Sequence, residues 1–380
     1  MEGITDPQIA LCGPDCKSAR TDSRLTRGPV DPLTKEGQMI RDAIRKAVEQ
    51  EDLTEQEAVA AMTEIMDGEA TPAQVASFIT AMRMKGETVP EITGFVKVMR
   101  EKSVKVRPKS DKLLDTCGTG GDKLNTFNIS TTATFVVVGA GVTIAKHGNR
   151  AASSKCGSAD VLEALGINLA MDPESVAQCI DRAGIGFMFA PAMHPAMKHA
   201  VGPRKEIGIR TMFNVLGPMT NPAGAKRQVI GVFSPDMTDT MANVLKALGS
   251  ERVMVFHGAP GLDEMSTLGE TKVSELKDGA VRTYTVKPSD VGLDTARPED
   301  LAPEGDTAED NARSLVGILK GEKGPRRNIV LLNAAAALVV ADKARDLTEG
   351  LAVAANSIDS GAAMNALDQF KSVTQELGRA

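Results

Sequence analysis

Leu114-Asp115-Thr116-Cys117-Gly118-Thr119-Gly120-Gly121-Asp122, continued by Asn128-Ile129-Ser130-Thr131 and by Lys146-His147-Gly148-Asn149-Arg150, decides the fold. A short apolar segment ends in a turn that holds three glycines and an aspartate. A Ser/Thr pair then opens an Ala/Val-rich helix, and a second apolar segment, Val142 to Ala145, delivers a lysine and an arginine. Strand, glycine loop, helix, strand and basic loop in that order make a parallel α/β unit. Glycines let a loop bring its N–H groups against an anion, and the helix start behind them adds partial positive charge. The pattern predicts a loop that holds a pyrophosphate-bearing sugar. It is not a Walker A loop, because Lys123 is followed by Leu124, and it lacks the third glycine of the dinucleotide fingerprint.

Upstream of this stretch, Leu33 to about Val106 reads as helical throughout. Ile40, Ile44, Ala47 and Val48 share one face. Three capping boxes follow in turn: Thr54 with Glu57, Thr71 with Gln74, and Thr88 with Glu91. Pro72 takes a first helical position, where its missing N–H is harmless, and Gly68 and Gly86 stand as stops. Ala58, Met62, Ile65 and Met66 mark one inner face, and Val75, Phe78, Ile79 and Met82 another. The spacing predicts a bundle of four helices. Before it, residues 1–32 carry Gly3, Pro7, Gly13, Pro14, Gly28, Pro29 and Pro32 with no apolar period, and are expected to form a disordered tail.

Downstream, strands and helices alternate. Strands are expected at Leu113–Cys117, Val142–Lys146, Gly186–Ala190, Gln228–Phe233 and Arg252–His257. Helices are expected at Ser130–Val138, Ser158–Leu165, from Asp172 to Gly184, at Pro195–Leu216, Asp236–Leu248 and Val330–Val340. Asp278-Gly279 marks a hairpin between Lys272–Leu276 and Ala280–Val286, and Pro288 to Asp310 reads as loop. The fold class is therefore α/β: a small all-helical domain plus a larger α/β domain with a mostly parallel sheet. Length agrees, since 380 residues exceed the roughly 250–300 that one hydrophobic core serves.

Composition narrows the function. A net charge of −6 argues against a general nucleic-acid binder, and a chain with one Tyr and no Trp has few rings for stacking bases. Five cysteines, an odd number in a long chain, point to a reducing compartment, and Cys12 and Cys16 lack the second pair that a zinc site needs. The N-terminus has no apolar signal core, and the longest nearly apolar run, Phe135 to Ala145, falls short of a membrane span of ~20 residues. A soluble cytoplasmic protein with no membrane partner is expected.

In open parallel sheets, ligands bind beyond the carboxyl ends of the strands. That edge collects the glycine loop, the Lys146–Arg150 loop and the loop from Gly258 that carries Asp263-Glu264. One supplies backbone donors, one cations and one adjacent carboxylates. An Asp-Glu pair is ordinarily solvated surface, but beside a phosphate loop its hard oxygens suit Mg²⁺, which is held by one or two carboxylates plus substrate phosphates. Donors and Lys146 suit a di- or triphosphate, and the set fits loss of pyrophosphate, whose developing charge must be stabilised. His194 and His199 read as surface or packing residues of a helix.

Taken jointly, Gly118 to Asp122, Asn128 to Thr131, Lys146 to Arg150, Ser153-Ser154-Lys155-Cys156-Gly157-Ser158, Asn214-Val215-Leu216-Gly217-Pro218-Met219-Thr220-Asn221-Pro222 and Asp263-Glu264 resemble the anthranilate phosphoribosyltransferase family from about residue 36 to the C-terminus. The resemblance implies a fold similar to that of pyrimidine nucleoside phosphorylases. It also implies transfer of the phosphoribosyl group of 5-phosphoribosyl 1-diphosphate to anthranilate, with release of pyrophosphate, in tryptophan biosynthesis. It implies a helical domain at 33–107 with 195–224 contributing, an α/β domain at 108–194 and 225–380, and a homodimer through the helical domain. For the phosphoribosyl diphosphate it implies Gly118, Gly121, Asp122, Thr126, Asn128, Ile129, Ser130 and Thr131, then Lys146, His147, Gly148, Asn149, Arg150, Ala151, Ala152, Ser153 and Ser154, and finally Ser158. Gly118, Asn149 and Arg204 would meet anthranilate, and a guanidinium suits its carboxylate. Ser130, Asp263 and Glu264 would contact Mg²⁺. No residue is implied as nucleophile or general base. Lys123, Leu124 and Cys156 depart from the family pattern without removing an implied ligand.

Two rival readings exist: a nucleoside phosphorylase of similar fold, and a non-catalytic nucleic-acid-binding relative. Asp263 and Glu264 suit a Mg²⁺-diphosphate better than free phosphate, and the intact motifs and negative charge oppose the second.

Overall fold

The structure is a computed structural model and describes residues 39–121, 124, 126–150, 156–305 and 307–378. The expected tail, residues 33–38 of the helical domain, and the site candidates Asp122, Ala151, Ala152, Ser153 and Ser154 lie outside the described residues.

Four helices form, α1 Met39–Val48, α2 Glu55–Asp67, α3 Pro72–Lys85 and α4 Val89–Lys102, the last three starting at the predicted threonines. Thr54 and Glu57 exchange both bonds of a capping box at 3.2 and 2.9 Å, and Thr71 and Gln74 do so at 3.3 and 2.8 Å. Glu91 does more than cap α4. Its buried carboxylate accepts the N–H groups of Thr88 at 2.7 Å and Leu53 at 2.8 Å, and pairs with Lys85 at 3.0 Å. The starts of α2 and α4 and the end of α3 are thereby tied to one side chain.

The second part alternates: β1 Leu114–Gly118, α5 Ile129–Gly139, β2 Ile144–Gly148, α6 Ser158–Ala164, α7 Pro173–Ala183, β3 Ile185–Phe189 and α8 Ala190–Met193. Then come α9 Lys198–Ile207, α10 Phe213–Leu216, β4 Arg227–Gly231, α11 Met237–Ala247 and β5 Arg252–Gly258. The hairpin β6 Thr271–Lys277 and β7 Ala280–Val286 precedes four helices, α12 Ala308–Leu319, α13 Pro325–Val340, α14 Leu347–Asp359 and α15 Ala362–Leu377. The seven strands lie in the order β3-β2-β1-β4-β5-β6-β7. Strands β1 to β5 run parallel, and β6 and β7 add an antiparallel edge.

Alternation along the strands divides the core in two. Met254 and Phe256 of β5 face the cluster that holds α5, α13 and α15. Val253 and Val255 face a cluster continuous with α11 and the first four helices. Ala200, Met212, Phe213, Val215, Leu216 and Met219 join this second cluster, so the segment after α8 packs with the helical layer.

Pro195–Leu216 is not one helix. A 3₁₀ turn covers Pro195–Met197, α9 stops at Gly208 with φ +63°, and α10 starts only at Phe213. Glycine in the left-handed region is a strong stop, and it overrides the helical reading. The stretch from Pro288 is also better ordered than a plain loop. Proline opens 3₁₀ turns at Pro288–Val291 and Pro298–Leu301, and the Ala296 N–H bonds Thr267 O at 2.9 Å.

Candidate active site

The chain runs outward from β1 through β2 to β3, then returns to place β4 on the other side of β1. The loops leaving β1 and β4 diverge there, and the crevice between them is where such sheets bind ligands. Glycines pair at the two strand tips, Gly118 opposite Gly231. Asp263 fills the space this leaves. A Cβ on Gly118 would lie 2.4 Å from Asp263 Oδ2, and one on Gly231 1.5 Å from Asp263 O. The missing side chains are what admit the carboxylate.

Asp263 Oδ2 accepts the Gly120 N–H at 2.8 Å, and Glu264 Oε1 accepts the Ser130 N–H at 3.0 Å, in the first turn of α5. Burial pushes the Asp263 carboxyl above its ordinary value, while the Gly120 N–H and Arg210 pull it back. The acidic loop is fixed at both ends. Gly258 and Leu262 exchange backbone bonds at 2.9 and 2.7 Å, and Asn333 of α13 holds Met265 by both its N–H and its carbonyl, each at 2.9 Å. The donor set fits Mg²⁺: two adjacent carboxylates, with Ser130 beside one of them. Among the described residues no cluster of three or more His, Cys, Asp or Glu is placed to hold a metal.

The basic loop is arranged differently from its expectation. Lys146 is buried, and its Nζ donates to Thr116 O and, at 3.3 Å, to Thr116 Oγ1. Burial lowers its pKa against the pull of Asp115. Arg150 pairs with Asp160 at 3.0 Å and Glu163 at 2.6 Å, and its guanidinium lies 5.6 Å from the centre of the Phe189 ring. Among the described residues, neither cation bonds the glycine loop. Asn149 O instead accepts Ser158 Oγ and the Ala159 N–H, both at 3.2 Å, and Gly148 leaves room for that hydroxyl. Asn128 bridges to Cys156 O at 3.2 Å, Thr126 N–H bonds Leu124 O, and Ile129 and Thr131 are buried in the first turn of α5.

Residues 110–364 match the glycosyl transferase family a/b domain, and residues 41–103 match that family's helical bundle domain. The anthranilate phosphoribosyltransferase of Acetivibrio thermocellus is 55% identical over 336 residues, covering 88% of this chain and 97% of its own. That of Symbiobacterium thermophilum is 56% identical over 338 residues, covering 89% and 98%. The chain belongs to the anthranilate phosphoribosyltransferase family. The crystal structure of the family's Thermus thermophilus member superposes with a TM-score of 0.83 at 44% identity, covering 88% of this chain and 99% of that one. The Saccharomyces cerevisiae member in complex with PRPP and Mg superposes at 0.81 with 28% identity, covering 90% and 99%. Family membership sets both rival readings aside.

In this family member the crevice has a floor that the motifs did not announce. Asp115 is fully buried and accepts the His147 N–H at 3.1 Å and Asn221 Nδ2 at 2.8 Å, while Asn221 also donates to Ala145 O at 2.8 Å. Gln228 of β4 donates to Pro218 O at 2.8 Å. Of the surface and packing readings of His194 the second holds: it is buried with its ring 5.1 Å from that of His147, and neither Nε2 has a partner among the described residues. Burial pushes His147 down to about 3 and His194 to about 4, so both rings are neutral near pH 7. Arg204 lies over Phe213 with 5.0 Å from guanidinium carbon to ring centre, and burial lowers its pKa. Arg210, absent from the sequence reading, bonds the glycine loop directly. Signals for these were present but quiet: an acid inside an apolar strand at Asp115, and an Asn before a Pro at Asn221.

Proposed function

We propose that this chain carries out its family's transfer, from 5-phosphoribosyl 1-diphosphate to the amine of anthranilate, in the crevice between β1 and β4. What supports this placement is the seating of Asp263 between Gly118 and Gly231 with the Gly120 N–H in its grasp, since that joins the acidic loop to the glycine loop at the switch point. The diphosphate is held by Gly118, Gly121 and Asp122, by Thr126 and by Asn128 to Thr131 at the start of α5. Gly148 to Ser154 and Ser158 complete the phosphoribosyl site, over a base that holds Lys146 and His147 buried. Asp263, Glu264 and Ser130 hold Mg²⁺, as the carboxylate pair favours and as the yeast member's complex with PRPP and Mg encourages. The ion, when bound, screens the negative charge that gathers on the departing diphosphate. Backbone N–H groups and the α5 N-terminus stabilise the same charge, while the ribose carbon becomes electron-poor and the amine attacks. Gly118, Asn149 and Arg204 orient anthranilate, with Arg204 pairing to its carboxylate. The yeast member in complex with 4-fluoroanthranilate is consistent with a site for such an aromatic acid. No protein nucleophile is required, so orientation and electrostatics carry the rate.

The test is the loss of anthranilate fluorescence on adding the phosphoribosyl donor and Mg²⁺. Asp263→Asn with Glu264→Gln is expected to lower turnover by about 10³-fold, roughly 4 kcal/mol, and to abolish its dependence on Mg²⁺. Wild-type kinetics in that double variant would remove the metal assignment.

The chain acts as a homodimer through its helical layer. Val48 of α1, Met84 of α3 and Val201 of α9 are exposed apolar side chains on elements of that layer, and sedimentation of the intact chain measures the state. It works in the cytoplasm, where Cys117, Cys156 and Cys179 stay thiols; fractionation of the source cells checks this.

A further inference from the structure

Arg210 stands outside every motif that marks the site, yet its guanidinium meets the glycine loop. Its Nη2 donates to the Gly121 carbonyl at 2.6 Å. The guanidinium carbon also lies 4.5 Å from the centre of the Phe233 ring. Phe233 is tied to the same loop, because its N–H donates to Thr119 Oγ1 at 3.1 Å and the Thr119 N–H donates to Gly231 O at 2.9 Å. The contact depends on glycine: a Cβ on Gly121 would lie 2.3 Å from Arg210 Nη2. Gly121 also holds φ +83°, a region closed to most side chains.

The physical need is clear. A glycine loop accepts an anion only while its N–H groups face the site. The freedom that lets glycine adopt this shape also lets a peptide turn over and present its carbonyl, which repels phosphate. A carbonyl bonded to a guanidinium is kept from turning. Arginine suits the task because its planar fork donates in its own plane while its face rests on an aromatic ring. A lysine ammonium has no planar face to lay on the ring and fixes a donor direction less well. The two basic residues expected at this rim, Lys146 and Arg150, bond elsewhere, and among the described residues it is Arg210, from the segment after α9, whose guanidinium bonds the loop.

We propose that Arg210 is a positioning residue of the diphosphate site. It holds the Gly121 carbonyl away from the crevice and keeps the glycine loop in its anion-accepting shape. Arg210 lies six residues beyond Arg204 on one short segment, so a single piece of chain governs both substrates: Arg204 grips the aromatic acid, and Arg210 sets the loop for the diphosphate. This rests on the reading of the glycine loop as the diphosphate site.

The experiment is calorimetry of the intact wild-type chain and of Arg210→Ala with Mg²⁺-pyrophosphate as the probe, alongside steady-state kinetics for both substrates. Arg210→Ala is expected to weaken pyrophosphate about tenfold and to raise the KM of the phosphoribosyl donor by a like factor, as loss of a charged hydrogen bond does. The KM of anthranilate should stay within about twofold, since Arg204 is untouched. Millimolar guanidinium should restore part of the lost affinity, and Arg210→Lys should recover less than half of it. An unchanged donor KM, an equal loss for both substrates, or full recovery in Arg210→Lys would overturn the positioning role. Should Arg210→Ala fail to fold, Phe233→Leu removes only the ring beneath the guanidinium; it should weaken pyrophosphate about threefold, and no change would overturn the proposal. A wild-type chain that does not bind Mg²⁺-pyrophosphate would sink the reading of the loop itself, whereas binding in the wild type with an equal affinity in Arg210→Ala would sink only the role of Arg210.

Discussion

The rim of the crevice and its floor use polar groups in opposite ways. At the rim, carboxylates rest on backbone N–H groups: Asp263 on Gly120 and Glu264 on Ser130. Such bonds join loops from different strands, and a phosphate can replace a carboxylate on the same donors. On the floor, Asp115, Asn221, Gln228 and Lys146 are sealed between β1, β2, β4 and the 218–222 turn. There each donor has a fixed acceptor and burial displaces the pKa of the charged members. The difference implies that charge near a site divides by accessibility. Rim groups should govern rate and affinity, and floor groups should govern stability.

Removing the floor's hub should have the larger effect. Asp115→Ala leaves the buried His147 N–H without its acceptor, takes one of two acceptors from the Asn221 amide and removes the carboxylate that steadies the charge on Lys146. Each buried polar group left short of a partner costs about 1–3 kcal/mol, and Asp115 serves more than one, so urea unfolding should show a loss of about 3 kcal/mol. A loss under about 1 kcal/mol would mean that floor and rim do not differ as argued. Arg204→Ala provides the contrasting case. It should raise the KM of anthranilate about 100-fold, some 2.7 kcal/mol, and leave that of the phosphoribosyl donor within about threefold. Equal losses for both substrates would place Arg204 with the floor.

The same division explains what could be read from the chain. The helical layer was legible because its signals are local: the Thr54–Glu57 and Thr71–Gln74 boxes form as their spacing predicts. The alternation of strands was legible for the same reason, and the hairpin at Asp278-Gly279 forms where its turn residues stand. Arg204 and Gly208 show the limit. A helical pattern continues through residues 195–216, but one glycine in the left-handed region ends α9 and frees the stretch that carries Arg210. Lys146 shows another. A lysine at the end of an apolar strand reads as a cation delivered to the rim, and only the packing of β2 beside β1 turns it toward Thr116. Asp115 was only a quiet signal, because an acid in a strand acquires its meaning from its partners, some thirty and a hundred residues away.

The smallest effect concerns the two neutral rings. In the folded chain His147 and His194 take up a proton only near pH 3 and 4, against about 6.5 when unfolded. Between those values the unfolded chain binds more protons, so stability rises with pH across the window. Stability is therefore undiminished by these groups above pH 6.5, and falls as pH drops toward 4, until the folded rings themselves protonate. One pKa unit corresponds to about 1.4 kcal/mol, so each ring should withdraw roughly 2 kcal/mol between pH 6.5 and 4.5. Asp115 and Asp263 work in the opposite sense, since burial raises their carboxyl pKa values and the folded state holds their protons more tightly. The total slope mixes both, and only a difference isolates the histidines. His194→Gln keeps a polar side chain of similar reach and removes one titrating group. Urea midpoints of wild type and variant, measured from pH 7 to 4.5, should converge on acidification by about 2 kcal/mol relative to their gap at pH 7. A gap that stays constant with pH would show that His194 titrates near its ordinary value, and hence that the pocket it shares with His147 is wet rather than sealed.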